Sequence, residues 1–215
     1  MDDDVRRGLA YAMDERLAVH YERHLVVDCR YRTPEVVAEA LAGIGASGLW
    51  LELGAGTGLV GKATLEKGLA VELVALDISP AMLRLIEATS YVARHSADAT
   101  LELPFDEAAF DGVVAAGLFE HVADPTPVFR NAARVVKPGG AFAFTFPPNA
   151  AGRTQLFDAD EGLVSHDLDA VRALLESFGL TTTHEMDFPA YLSSSKRWVT
   201  HHVLVGMRSA TSRIC

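Results

Sequence analysis

Leu51-Glu52-Leu53-Gly54-Ala55-Gly56-Thr57-Gly58 is the stretch on which the reading of this chain turns. The apolar run Leu49-Trp50-Leu51 has the character of a buried strand and stops at Gly54. Glycines at alternate positions then open Leu59 to Lys67, which reads as a helix stopped by Gly68. Glycine lets the backbone turn sharply and approach a ligand closely, and a helix N-terminus favours a negative group. Glu52 puts a carboxylate beside this loop. A second acid, Asp77, ends the next strand, 23 residues beyond Gly54. A carboxylate there can accept both hydroxyls of a ribose. Counted from Gly56, the loop is Gly56-x-Gly58-x-x-Gly61, the dinucleotide fingerprint, with Asp77 following 21 residues on. The loop alone therefore leaves two cofactor classes open, a nicotinamide dinucleotide and S-adenosylmethionine.

The pattern around the loop is an alternation of short buried strands and helices. Strands are expected at Val71–Leu76, Tyr91–Ser96, Phe110–Ala116 and Ala141–Phe146. Helices are expected from Ser79-Pro80 to about Ala88 and from about Pro127 to Val136, with Lys137-Pro138-Gly139-Gly140 as a turn. Thr33-Pro34-Glu35 reads as an earlier helix start, with Thr33 as N-cap and Gly43 and Gly45 closing the helix. Leu9, Met13, Leu17 and Tyr21 recur every four residues, a helical face. Such alternation specifies a doubly wound α/β fold, a parallel sheet covered on both faces. After Pro147-Pro148 the rhythm changes. Residues 149–165 read as an irregular insertion, Leu168–Phe178 as a helix, and 180–186 and 198–207 as two strands separated by a loop holding Pro189. Two strands in succession predict an antiparallel end to the sheet. The chain reads as one domain: a helical N-terminal cap over 1–32, a cofactor-binding core over 33–148, the insertion 149–165, and a C-terminal helix with two strands over 166–207.

Composition narrows the function. The chain has 215 residues, 49% of them hydrophobic, and 19 basic against 29 acidic side chains give a net charge of −10. That balance argues against a nucleic-acid partner, which would need clustered Lys and Arg. Two distant cysteines, Cys29 and Cys215, make neither a disulfide framework nor a cysteine zinc site. Met1-Asp2-Asp3-Asp4 is unlike a signal peptide, and no apolar run approaches membrane-spanning length, so a cytoplasmic protein without a membrane partner is expected. No acid/His cluster has metal-ligand spacing, and no metal is expected.

Four features favour the sulfonium cofactor. The Glu52 charge would repel a diphosphate but could help hold an ammonium. Asp98-Ala99, followed by Leu103-Pro104-Phe105, stands where an adenine amino group would reach. A Tyr-x-x-x-Lys pair is missing, since Tyr91 meets His95 and Tyr191 meets Ser195. The two late strands are the fourth. From about Tyr31 to Pro147 the chain resembles a class I S-adenosylmethionine-dependent methyltransferase of the small-molecule group that includes ubiquinone-pathway enzymes. The resemblance rests on Glu52–Gly58, on Leu76-Asp77-Ile78-Ser79 with Met82, on Asp98-Ala99 with Leu103-Pro104-Phe105, on Phe110-Asp111 through His121-Val122, and on Arg134–Gly140. It implies a sheet of order 3-2-1-4-5-7-6 with strand seven reversed. It also implies roles: Glu52 with the backbone of Gly54, Ala55 and Gly56 at the methionine end, Asp77 at the ribose, Ile78 and Met82 around the adenine, Asp98 and Ala99 at its edge, and Ala116-Gly117 closing the pocket. Tyr31 is expected to face the ligand as well. The product would be S-adenosylhomocysteine.

Methyl transfer from a sulfonium requires chiefly that the acceptor be held in line at near-attack distance. A base is needed only when the acceptor carries a proton, as a hydroxyl does. His121 is the first candidate; Tyr21, His24, Tyr31, His166 and Tyr191 could also face the acceptor. The acceptor site is expected from residues 1–30, 149–165 and 187–197, outside the sheet. The expected activity is methylation of a small molecule at oxygen, carbon or nitrogen. A nicotinamide oxidoreductase, and a methyltransferase fold that binds the cofactor without methylating, are the rival readings; the oligomeric state is left open.

Overall fold

A computed structural model of the chain describes residues 20, 22–87, 91–158 and 163–210. The helical face expected over Leu9, Met13, Leu17 and Tyr21 lies outside these residues. A π-helical turn, His24–Asp28, precedes α1 (Thr33–Gly43). Then come β1 (Gly48–Leu53), α2 (Leu59–Glu66), β2 (Val71–Asp77), α3 (Pro80–Arg84), β3 (Tyr91–Ser96) and β4 (Phe110–Ala115). A 3₁₀ turn, Phe119–His121, leads to α4 (Thr126–Val135) and β5 (Val136–Phe146). β6 (Pro148–Asn149), β7 (Gln155–Asp158), β8 (Leu163–Asp167), α5 (Leu168–Ser177), β9 (Leu180–Leu192) and β10 (Trp198–Arg208) complete the described chain.

The main sheet has seven strands in the order β3-β2-β1-β4-β5-β10-β9. β3 through β5 pair in parallel, while β10 runs antiparallel to both β5 and β9. This is the expected 3-2-1-4-5-7-6 topology, with β10 as the reversed strand inserted between β5 and the edge. Alternation along β5 shows how the sheet is covered. Phe142, Phe144 and Phe146 join one core with Phe129 of α4 and Leu175 of α5, while Ala141 and Ala143 face the other with Val37 and Leu41 of α1. Successive side chains of a strand point to opposite faces, so large residues thicken one layer and small ones bring α1 close on the other. Each fully buried Phe contributes about 1.5–3 kcal/mol of hydrophobic stabilisation, and the rings of Phe142 and Phe144 stack with centroids 4.7 Å apart.

Five local expectations need correction. Thr33 lies inside α1 rather than capping it, and its buried Oγ1 has no hydrogen-bond partner among the described residues. α3 stops at Arg84, short of Ala88, because its last turn tightens to i−3 bonds and the Ile86 carbonyl accepts from Arg94 at 2.8 Å. Lys137–Gly140 does turn, but as a bulge within β5: the β4 register moves from Phe110↔Val136 to Gly112↔Ala141. Residues 149–165 are not irregular throughout, since β7 and β8 pair antiparallel and β8 also pairs with β6. Pro189 sits within β9 instead of ending it; β9 is the edge strand, where a missing N–H is tolerated.

Candidate active site

The glycine loop is held from beneath. β1 delivers it at Leu53, and the amides of Gly54 and Ala55 both donate to the Leu76 carbonyl, at 2.8 and 3.1 Å. Gly54, Gly56 and Gly58 all have positive φ, between 53° and 85°, the left-handed region that glycine adopts without strain. The Gly56 amide donates to Oδ2 of Asp77 at 2.8 Å, and Oδ1 accepts from Ser79 N at 2.8 Å. Burial nonetheless raises the Asp77 pKa. Ser79, not Asp77, caps α3, its Oγ accepting from Met82 N at 3.3 Å.

Glu52 ends almost completely covered, and burial pushes its carboxyl up to about 8. Its Oε2 accepts from the Tyr91 hydroxyl, which in turn accepts from Gly61 N at 3.1 Å. Tyr91 thereby ties β1 to the first turn of α2, a role that sequence reading did not assign to it. Burial and the neighbouring carboxylate hold the Tyr91 phenol above its ordinary pKa. The Gly58 amide donates to Ala55 O at 2.9 Å. All three glycine amides of the literal dinucleotide fingerprint are thus taken within the fold, so none is left to donate to a diphosphate.

The remaining expected cofactor residues lie along the same rim. Ile78 is exposed at the tip of β2, whereas Met82 is buried under the turn that Ser79 caps. Asp98 Oδ1 accepts from the amide and hydroxyl of Thr100, and the carbonyl of buried Ala99 accepts from Asn131 at 2.9 Å. Ala116 follows β4, and the next amide, Gly117 N, donates to Thr145 Oγ1 at 3.2 Å. Gly117 has φ +74°, and a Cβ there would collide with the Tyr31 hydroxyl, which places Tyr31 against this turn. A side chain at Gly56, by contrast, would meet open space.

On the far side of the rim the 3₁₀ turn presents Glu120 and His121. Water reaches the His121 ring, yet the surrounding protein desolvates it enough to hold its pKa below that of a free imidazole. Glu120 is buried, Oε2 has no partner among the described residues, and burial pushes its carboxyl up to about 7. His201 of β10 is fully buried, its ring nitrogens have no partner among the described residues, and burial with the nearby His121 pushes its pKa down to about 3. Neither Glu120 nor His201 stood out in the sequence. His166 is structural here: its Nε2 lies 2.9 Å from the Phe119 carbonyl and its Nδ1 lies 3.1 Å from Thr154 Oγ1. His24 is exposed on the π-helical turn beside Asp28 and Cys29. Tyr191 of β9 packs edge-on to His201 with centroids 5.6 Å apart. Among the described residues there is no His/Cys/Asp/Glu group of metal-binding geometry, and no helix is long and apolar enough to cross a membrane.

A reversed strand inside an otherwise parallel sheet, a glycine loop whose donors face inward and an acid at the tip of β2 give the chain the fold of class I S-adenosylmethionine-dependent methyltransferases. Residues 51–144 match the family model described as a methyltransferase domain. The chain is 31% identical over 123 residues to a ubiquinone biosynthesis O-methyltransferase of Alkalilimnicola ehrlichii, covering 52% of this chain and 46% of that protein. It is 32% identical over 141 residues to a demethylmenaquinone methyltransferase of Thermus thermophilus, covering 59% and 64%. The chain thus spans about half the length of the curated relatives it matches. In fold it is similar to the Burkholderia thailandensis 1,6-didemethyltoxoflavin-N1-methyltransferase, solved with S-adenosylhomocysteine, with TM-score 0.72, 18% identity, and coverage of 97% of this chain and 92% of that one.

Proposed function

We propose that this protein transfers a methyl group from S-adenosylmethionine to a small-molecule acceptor. The observation that carries the reading is the Gly56–Asp77 pair. The loop turns its glycine amides inward and leaves open space over Gly56, while the Asp77 carboxylate stands at the strand tip where a ribose diol would seat. Those residues fit an uncharged ribose and an amino-acid tail better than a diphosphate. When bound, the cofactor supplies a methyl group already activated on sulfur. The loop backbone would hold the methionine end, Asp77 the ribose, Ile78 the open side of the adenine, and the Asp98-Ala99 turn its edge. Glu52 supports the loop through Tyr91 and adds a carboxyl near the ammonium.

The acceptor then meets the rim formed by Tyr31, Gly117, Glu120 and His121. A neutral His121 accepts a proton from a hydroxyl acceptor at neutral pH, which suits it to act as base. The ubiquinone-pathway relatives are named as O-methyltransferases, which supports oxygen as the methylated atom. Isothermal titration with S-adenosylhomocysteine tests the reading: binding is expected, with Asp77→Ala weakening it. Binding of NADH in its place would overturn the reading.

A further inference from the structure

Charge is unevenly spread over this chain. Residues 23–32 and 190–200 hold Arg23, Arg30, Arg32, Lys196 and Arg197 against a single acid, Asp28, in a molecule whose net charge is −10. The fold brings the two segments together: Leu192 N donates to Cys29 O at 2.7 Å, and Arg32 N donates to Ala190 O at 2.8 Å. All five basic side chains are exposed, and none is in an ion pair among the described residues. Asp28 is held by His24, 3.1 Å away. The His24–Asp28 turn buries none of its residues, and three apolar side chains stand among the cations: Val26 is 48%, Val27 62% and Trp198 46% exposed. Trp198 pairs across the β9–β10 hairpin with Leu192, the residue bonded to Cys29, so it shares one end of the molecule with the two valines.

An exposed valine or an exposed arginine alone is ordinary; the combination on one end selects a partner. A nucleic acid or an acidic peptide would match the cations, and a base could stack on Trp198, but Val26 and Val27 would stay in water. A second copy in two-fold contact would set the same cations against one another. A lipid surface with anionic headgroups takes both kinds of side chain. Its headgroups attract the arginines and the lysine, while the valines and the indole enter the boundary between headgroups and acyl chains. We propose that the His24–Asp28 turn and the tip of the β9–β10 hairpin together form a docking surface for an anionic lipid bilayer. Attachment of this kind lies on the membrane and needs no spanning helix. The surface forms whatever reaction the chain performs, so its test does not depend on the methyl-transfer reading.

Co-sedimentation of the full chain with vesicles tests the surface, using phosphatidylcholine alone and phosphatidylcholine mixed with phosphatidylglycerol. Binding to the anionic vesicles is expected to be about tenfold or more tighter than to the neutral ones, and to weaken as salt is raised. The chain has two tryptophans and Trp50 is buried, so a blue shift of emission on the anionic vesicles reports Trp198 leaving water. Lys196→Gln combined with Arg197→Gln is expected to weaken anionic binding by about tenfold or more. Trp198→Ala is expected to abolish the shift, and Arg130→Gln, an exposed cation of α4, to change nothing. Every substituted side chain is exposed, so the fold is not at stake. Equal binding to neutral vesicles, no binding to either kind, unchanged affinity in the double variant or an unshifted emission would overturn the proposal. Polyuridylate bound as tightly as the anionic vesicles would also overturn it, in favour of a nucleic-acid surface.

Discussion

The backbone amide of Gly56 donates to Oδ2 of Asp77 at 2.8 Å, so the acid expected to meet a ribose also holds the glycine loop in place. Loop geometry and cofactor affinity are therefore coupled through one carboxylate. Asp77→Ala removes the loop's anchor along with the ribose acceptor. S-adenosylhomocysteine affinity should fall by about tenfold or more, with a stability loss of about 1–3 kcal/mol from the unpaired amide. Asp77→Asn keeps one carbonyl oxygen and should fall between wild type and Ala. Calorimetric titration and urea denaturation of the three proteins check the order.

NADH should not bind. Gly56, Gly58 and Gly61 donate to Asp77, Ala55 and Tyr91. A diphosphate seated there would have to break bonds the fold already makes. NADH fluorescence titrated with the protein is expected to stay flat. Tyr91→Phe, which removes the hydroxyl that Gly61 N donates to, is expected to destabilise the fold by about 1–3 kcal/mol without creating a dinucleotide site.

Buried titratable groups should pull stability in opposite directions with pH. Glu52 ionises near 4.5 when exposed but near 8 when folded, so the native chain holds the extra proton between those values. Stability from this group therefore falls as pH rises from about 4.5 to about 8. Glu120, pushed up to about 7, acts in the same direction. His201 works oppositely: its ordinary value is 6.5 and its folded value about 3, so the unfolded chain holds the extra proton and stability falls as pH drops through that window. Urea denaturation across pH should show a smaller loss of stability between about pH 4.5 and 8 in Glu52→Gln, and a smaller loss as pH drops from about 6.5 to 3 in His201→Phe.

The turn after β4 should reject even a methyl group. Gly117 has φ +74°, and an added Cβ would run into the Tyr31 hydroxyl. Gly117→Ala is expected to destabilise the protein by about 1–2 kcal/mol from backbone strain alone and to displace Tyr31. Adding Tyr31→Phe removes the colliding oxygen but not the strain, so it should recover part of the loss. Thermal melts of the single and double variants measure the coupling.

The parts of this molecule that are local in sequence were legible before the structure. Strand periodicity, the glycines that turn between β1 and α2, and the Ser79 cap depend on neighbours within a few residues. The reversed strand was legible because no helix separates Leu180–Leu192 from Trp198–Arg208. What escaped depends on distant partners. β6 and β7 have two and four residues, and they are ordered only because β8 lies beside them. Tyr91 gains its role from Glu52 and Gly61, which lie 39 and 30 residues away. Glu120 and His201 read as ordinary polar residues until the fold buries them without partners. A carboxylate beside a histidine after the fourth strand, with a paired histidine at 201–202 on the last one, was the only available signal.

His166 binds the Phe119 carbonyl from β8, and so fastens the small three-stranded sheet to the turn that carries Glu120 and His121. Asp77 and the glycine loop are instead held by bonds to each other and to Leu76. If the proposed sites hold, drift in residues 148–167 would retune which compound enters while the nucleoside half stays as it is, and a lineage would change its chemical repertoire without relearning how to hold its methyl donor.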